Sequence, residues 1–267
     1  MSKSNAIKTF RDLLAFLTII PMGSGEDFVA TSAEFMFLFP LIGGLIGLFA
    51  AVYFQVGLFV VSNLWLFVNS FVQLPLDLLV RFTLAVMTLA FLLVLTGLQH
   101  FDGLVDLGNA IGLRRLEERR DAAHAWIVTY KGAFLAIFVE FLAFLGLFFL
   151  KTEIAYRAII VAEVGAKLAM VTIATVGLST GKGLGARFME KAKRKRNVIA
   201  YVISFLIIVP LLGWAGLLVV AGSVISGVLM ERVAKGVFGG VSGDMIGATN
   251  ESARAVTLVL LAGVLAL

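Results

Sequence analysis

The sequence predicts an all-α fold: a polytopic integral membrane helical bundle of about seven transmembrane helices, plus an N-terminal amphipathic helix at the interface. Three observations carry this. Of the 267 residues, 60% are hydrophobic and 15% charged, whereas a soluble domain is about 25% charged. Mean hydropathy is +1.02. The apolar residues form continuous runs, not the alternating pattern of a transmembrane β-barrel. Together these point to a single integral membrane catalytic domain over residues 1–267. There is no cysteine, so disulfides and thiolate metal sites are excluded, and two histidines make a structural zinc site unexpected.

The elements follow in order. Residues 6–20 read as the amphipathic helix, with Lys8, Arg11 and Asp12 among the headgroups. The apolar stretch there is short and no A-x-A cleavage pattern follows, which argues against a signal peptide. The first span is expected at 33–62, interrupted by Pro40, Gly43, Gly44 and Gly47, with a kink at Pro40. Spans at 77–98, 131–150 and 155–178 come next. The apolar stretch 197–235 would exceed about 50 Å as one helix, too long for a hydrocarbon core of about 30 Å. A hairpin split near Pro210, Gly213 and Gly216 supplies the fifth and sixth spans. The seventh is expected at 250–267.

Charge orients the bundle. The net charge is +5, from 22 Lys and Arg against 17 Asp and Glu. Basic residues gather at 3–11, at Arg114, Arg115, Arg119 and Arg120, at 182–196, and at Arg232 and Lys235. The connections at 63–76, 151–154 and 213–216 carry almost none. This alternation fits seven spans with the N-terminus in the cytoplasm and the chain in the cell membrane. The basic balance is therefore read as topology and contact with membrane lipid, not as a nucleic-acid surface.

Two acidic clusters stand out because they edge long apolar runs. The first, HFDGLVD, holds His100, Asp102 and Asp106; the second, GGVSGDMIGATNE, holds Asp244, Asn250 and Glu251. Both fall on the cytoplasmic side of the expected topology. Asp102 and Asp106 are four apart and share a helical face. Asp244 and Glu251, seven apart, share another, with the small Gly247 and Ala248 between them. Neighbouring carboxylates repel, and a divalent cation reverses that cost. Mg²⁺ takes one or two carboxylates together with phosphate oxygens and water. Asp102, Asp106, Asp244 and Glu251 are thus candidate metal ligands. Gly103, Gly243 and Gly247 are candidate surfaces for a phosphate ester, and Asn250 is a candidate oxygen ligand or amide donor.

His100 reads equally as a general base or phosphate contact and as an interfacial histidine bonded to a carbonyl. His124 reads as structural. Arg120 suits a phosphate contact or a salt bridge with Asp121. Lys182 and Arg187, beside Gly183 and Gly185, are weaker phosphate candidates. The run Lys191–Arg196 reads as a solvated topology anchor, and GKGLG lacks Walker A spacing. Glu163 and Lys167, four apart, are expected to pair within their span. Glu140 is a buried carboxylate with no partner evident in the sequence.

At these residues the sequence resembles the cobalamin synthase family, the adenosylcobinamide-GDP ribazoletransferases. The resemblance covers nearly the whole chain. It runs through LAFLTIIP at 14–21, FPLIG at 39–43, TGLQHFDGLVD at 96–106 and GGVSGDMIGATNE at 239–251. It implies a membrane enzyme, dependent on Mg²⁺, that joins adenosylcobinamide-GDP to α-ribazole or its 5′-phosphate and releases GMP. By motif it makes His100, Asp102, Asp106, Asp244 and Glu251 the leading catalytic and metal residues. The chain departs from the family at Asn109, where a third acid is common, and in the longer segment RDAAHAWIVTYKG. A homo-oligomer stays open.

Three rivals stand beside this reading. A polyprenyl transferase would need two Asp-rich motifs facing each other, which HFDGLVD fits loosely, but the second cluster is too Gly-rich. CDP-alcohol phosphotransferases carry Ala and Arg where this chain has Val105 and Asp106. A transporter would centre on Glu140, Glu163 and Lys167 at mid-membrane, yet no inverted repeat is evident.

Overall fold

The computed structural model describes residues 3–22, 28–123, 125, 127–181, 183–192 and 195–265; the side chains of 3–5, 183, 184, 186 and 187 are outside that description. Among the described residues the protein is helical, with one isolated parallel bridge between Ser179 and Val241. Six helices are long and apolar enough to cross a membrane. These are α3 (Phe39–Asn69), α4 (Leu76–Leu95), α7 (Tyr130–Phe149), α8 (Thr152–Val176), α10 (Val198–Leu212, extended by a 3₁₀ turn from Lys195) and α11 (Trp214–Phe238).

The amphipathic helix is present as α1 (Lys3–Leu17). Leu13, Leu14 and Leu17 are buried while Ile7 and Phe10 stay exposed. Asp12 departs from expectation: it is 1% exposed, not among headgroups. Thr9, Asp12, Leu13, Phe16 and Leu17 follow the i, i+3, i+4, i+7, i+8 stripe that turns toward a core. The Asp12 carbonyl accepts from Ser32 Oγ (3.4 Å) in the short helix α2 (Phe28–Glu34).

The first span also differs from expectation. It starts at Phe39 after a 3₁₀ turn at Met36–Leu38, so Pro40 occupies the first helical turn and does not kink a helix interior. Proline is tolerated there because first-turn N–H groups have no intrahelical acceptor. The expected hairpin does form, with α10 ending at Gly213 (φ +57°, ψ −131°). That backbone strains any residue with a Cβ, which makes glycine the natural breakpoint.

Helix α8 is the hub. Its alanine-rich surface is buried nearly all round, and it packs against α3, α10, α11 and the last long helix, α12 (Gly243–Leu265). Small side chains let helix backbones approach closely where lipid provides no hydrophobic drive. Helix α12 overlaps the expected seventh span at 250–267, but it starts earlier and is not among the six described helices long and apolar enough to cross a membrane. Its first half carries Asp244, Asn250, Glu251 and Arg254, and it is sheathed by α5 (Gln99–Ala110), α7, α8 and α11. Enclosure in protein is what tolerates such residues at membrane depth.

Three shorter helices line one end of the bundle: α5 (Gln99–Ala110), α6 (Leu116–Ala123) and α9 (Gly183–Ala192). A tight turn launches α5. Leu98 N–H donates to Leu93 (3.0 Å) and Gly97 N–H to Val94 (2.9 Å), with Gly97 at φ +68°. This is the Schellman pairing that ends a helix and redirects the chain.

Candidate active site

The site forms where α5 crosses α12. Gly103 of α5 sits directly on α12: a Cβ there would collide with the Asp244 carbonyl and lie 2.9 Å from the Ala248 amide nitrogen. Only a residue without a side chain permits this approach, and the approach unites the two acidic clusters. Asp102 and Asp106 from α5 and Asp244 from α12 line one cavity of about 380 Å³. Val105, Ala123, Ile127 and Val128 complete its wall, and no basic side chain lines it among the described residues.

The electrostatics follow from that crowding. Burial, then Asp244, then Asp102 push the Asp106 carboxyl up to about 7. Like charges in a half-buried site disfavour ionisation unless a cation joins them. Among the described residues, no three His, Asp or Glu side chains are gathered tightly enough to ligate one ion alone. A cation here would use one or two carboxylates and complete its shell with phosphate oxygens and water. That is the habit of Mg²⁺, and the all-oxygen donor set suits it.

A second cavity, of about 230 Å³, opens on the other side of the crossing. Gln99, His100, Gly243 and Gly247 meet Phe16 and Phe188 there, and Asp244 belongs to both cavities. Burial, reinforced by Lys167 and Arg254, holds the His100 imidazole well below its ordinary range, so it is neutral at pH 7. Its Nδ1 lies 3.7 Å from Glu251 Oε1.

Glu251 and Asn250 sit deeper, in a buried ionic network. Arg254 pairs through Nη1 with Glu251 and through Nε with Glu163 of α8 (2.5 Å). Lys167 Nζ donates to Glu163 Oε2 (3.2 Å) and to Asn250 Oδ1 (2.7 Å). Asn250 Nδ2 donates to Glu251 Oε1 (3.0 Å). Glu140 of α7 lies beside Glu251. Neither Asn250 nor Glu251 lines either cavity among the described residues. The expected Glu163–Lys167 pair exists, but as one edge of a larger web.

The other candidates take various places. Arg120 donates from Nη2 (2.9 Å) and Nε (3.3 Å) to the Phe238 carbonyl, capping α11 instead of lining a cavity. Lys182 and His124 lie outside the described residues, as does the side chain of Arg187. Asn109, where a third acid is common in the resembled family, ties down the cavity wall. Its Nδ2 donates to the Ile127 carbonyl (2.7 Å), and its Oδ1 accepts from the Thr129 amide (3.0 Å) and hydroxyl (2.7 Å). Arg254 was missed by sequence reasoning. Its one signal was a cation inside an apolar run, three residues from an acid.

Comparison with known proteins now bears on this geometry. A family model described as cobalamin-5-phosphate synthase matches residues 9–262. The chain belongs to the cobalamin-5-phosphate synthase family. Among curated relatives, an adenosylcobinamide-GDP ribazoletransferase of Pyrococcus abyssi is 31% identical over 94% of this chain and 96% of its own length. One of Thermococcus onnurineus is 30% identical with the same coverages. One of Methanococcoides burtonii is 24% identical over 97% of this chain and 93% of its own. No solved structure matches the chain. Membership of the cobalamin-5-phosphate synthase family spans both helices of the crossing, so the acidic cavity lies within the matched region.

Proposed function

We propose that this chain is an adenosylcobinamide-GDP ribazoletransferase, joining adenosylcobinamide-GDP to α-ribazole or its 5′-phosphate with release of GMP. The ribose hydroxyl oxygen bonds to the phosphorus on the cobinamide side. The phosphoanhydride bond to GMP breaks, the hydroxyl proton is given up, and GMP leaves with the electron pair. Adenosylcobalamin or its phosphate remains. The observation that carries this reading is the meeting of Asp102, Asp106 and Asp244 in one cavity.

Phosphoryl transfer asks the protein mainly for positioning and charge stabilisation. One or two of Asp102, Asp106 and Asp244 would hold Mg²⁺ together with phosphate oxygens and water, and the ion when bound would neutralise charge on the diphosphate and on the leaving group. The Gly103 crossing fixes the carboxylates relative to one another. Glu251, held by Arg254 and adjacent to His100, acts as a positioning residue between α12 and α5. We assign the site to the cytoplasmic face of the cell membrane from the basic loops that flank it.

The test is direct assembly. The purified chain in liposomes, given adenosylcobinamide-GDP, α-ribazole and Mg²⁺, should release GMP in proportion to the cobalamin formed. Folded protein that yields neither product, or turnover that survives full removal of divalent ions, sinks the reading or its metal respectively.

A further inference from the structure

We propose that the second cavity, beside the acidic one, seats the flat apolar base of the ribazole acceptor and not the guanine of the donor; this rests on the transferase reading above. The cavity, about 230 Å³, is smaller than the roughly 300–1,000 Å³ that takes a whole small ligand. It therefore fits a fragment such as one heteroaromatic ring system. One wall is aromatic: Phe16 and Phe188 stack with centroids 5.4 Å apart and planes within 10°. Val29, Met170 and Ile246 add aliphatic surface.

Position limits the occupants to two. Asp244 lines both cavities, so whatever sits in the second lies next to the phosphorus held in the first. In-line displacement puts the attacking and leaving groups on opposite sides of that phosphorus. The corrin ring borne by the cobinamide oxygen is too large for about 230 Å³, which leaves the ribazole base or the guanine.

Polar chemistry separates them. Guanine carries ring N–H, amino, carbonyl and N7 groups, each costly to bury unpaired. Besides Asp244, the polar side chains lining the cavity among the described residues are Gln99 and His100. Dimethylbenzimidazole, joined to ribose through one nitrogen, keeps a single ring acceptor and two methyl groups. Gln99 can donate to that acceptor, and the aromatic and aliphatic wall suits the rest of the ring.

The experiment uses the full chain in liposomes. Unaltered protein is first shown to release GMP from the substrate pair; failure there overturns the transferase reading and this proposal with it. Phe188→Ala and Val29→Trp are then compared with it. Each should raise KM for α-ribazole about tenfold, the scale of a lost or blocked aromatic contact, with KM for adenosylcobinamide-GDP within about twofold. Free dimethylbenzimidazole should compete with α-ribazole and lose potency against both variants. Val29→Trp adds bulk without removing a core ring, so it covers the case in which Phe188→Ala fails to fold. A rise confined to adenosylcobinamide-GDP would assign the cavity to guanine, and unchanged KM values with no competition would leave it without a base. Either result overturns the proposal.

Discussion

The acidic cavity and the buried network both draw carboxylates from α12, the first facing α5 and the second α8, with opposite outcomes. Asp244 and Glu251 lie two turns apart on α12. Near the helix start, the carboxylates of Asp102, Asp106 and Asp244 line one cavity, and Asp102 and Asp244 both repel the charge of Asp106. Two turns deeper, Glu251 and Glu163 are fully enclosed, each paired to Arg254. Repulsion left in an accessible cavity is a place to put a cation. Charge closed off by a counter-charge is a bolt between helices. Depth along α12 separates chemistry from architecture.

The largest effect should come from neutralising the cavity. Asp102→Asn and Asp244→Asn should each cut turnover by about a hundredfold to a thousandfold, the scale of losing a preorganised electrostatic contact. Thermal stability of the Asp102→Asn variant in detergent should hold or rise, because repulsion with Asp106 is relieved. A large loss of stability would erase the distinction between the regions.

The network should respond in the opposite sense. Arg254→Met leaves Glu163 and Glu251 buried without their shared cation, which costs about 3–5 kcal/mol. Calorimetric unfolding of the detergent-solubilised chain measures it. An unchanged unfolding temperature would mean that the enclosed charges are not holding α8 to α12. Glu251→Gln sharpens the comparison: it should lower stability while leaving the Mg²⁺ concentration dependence of turnover near that of the parent.

Proton linkage offers a third probe. The Asp106 carboxyl sits at about 7, above its ordinary 3.8. Between those values the folded protein binds more protons than the unfolded chain. Without a divalent cation, the stability contributed by Asp106 is therefore full at acid pH and is lost as pH rises through about 7. Added Mg²⁺ should bind more tightly over the same rise, because it competes with that proton. Melting curves from pH 5 to about 8, with and without Mg²⁺, test both signs. Asp106→Asn should flatten the metal-free curve.

Much of this contrast was legible in the sequence. The length of 197–235 demanded a break, and Gly213 supplied it. The two acidic runs with their glycines marked the site, because period and composition are local properties. Partners across the fold were not legible. Asn250 bonds to a lysine 83 positions away and Arg254 to a glutamate 91 positions away. No spacing rule separates Glu251, which is enclosed, from Asp244, which reaches the cavity. Pro40 misled for a related reason: whether proline kinks or starts a helix depends on where the helix begins, and the 3₁₀ turn before it sets that.

The smallest expected effect lies at Asn109, which braces the wall of the acidic cavity. Its amide donates to Ile127 and accepts from Thr129, fixing the segment that walls the acidic cavity. Asn109→Asp keeps the acceptor and loses the donor, leaving the Ile127 carbonyl facing a carboxylate. The lost bond is worth about 1 kcal/mol, and a new negative charge one turn from Asp106 adds repulsion. Stability without metal should fall by about that amount, while added Mg²⁺ restores part of it through the extra negative charge near the cavity. If metal restores nothing, the position belongs to the architecture alone. If the variant gains Mg²⁺ affinity, the cavity extends its cation chemistry to a position this chain uses to hold a loop.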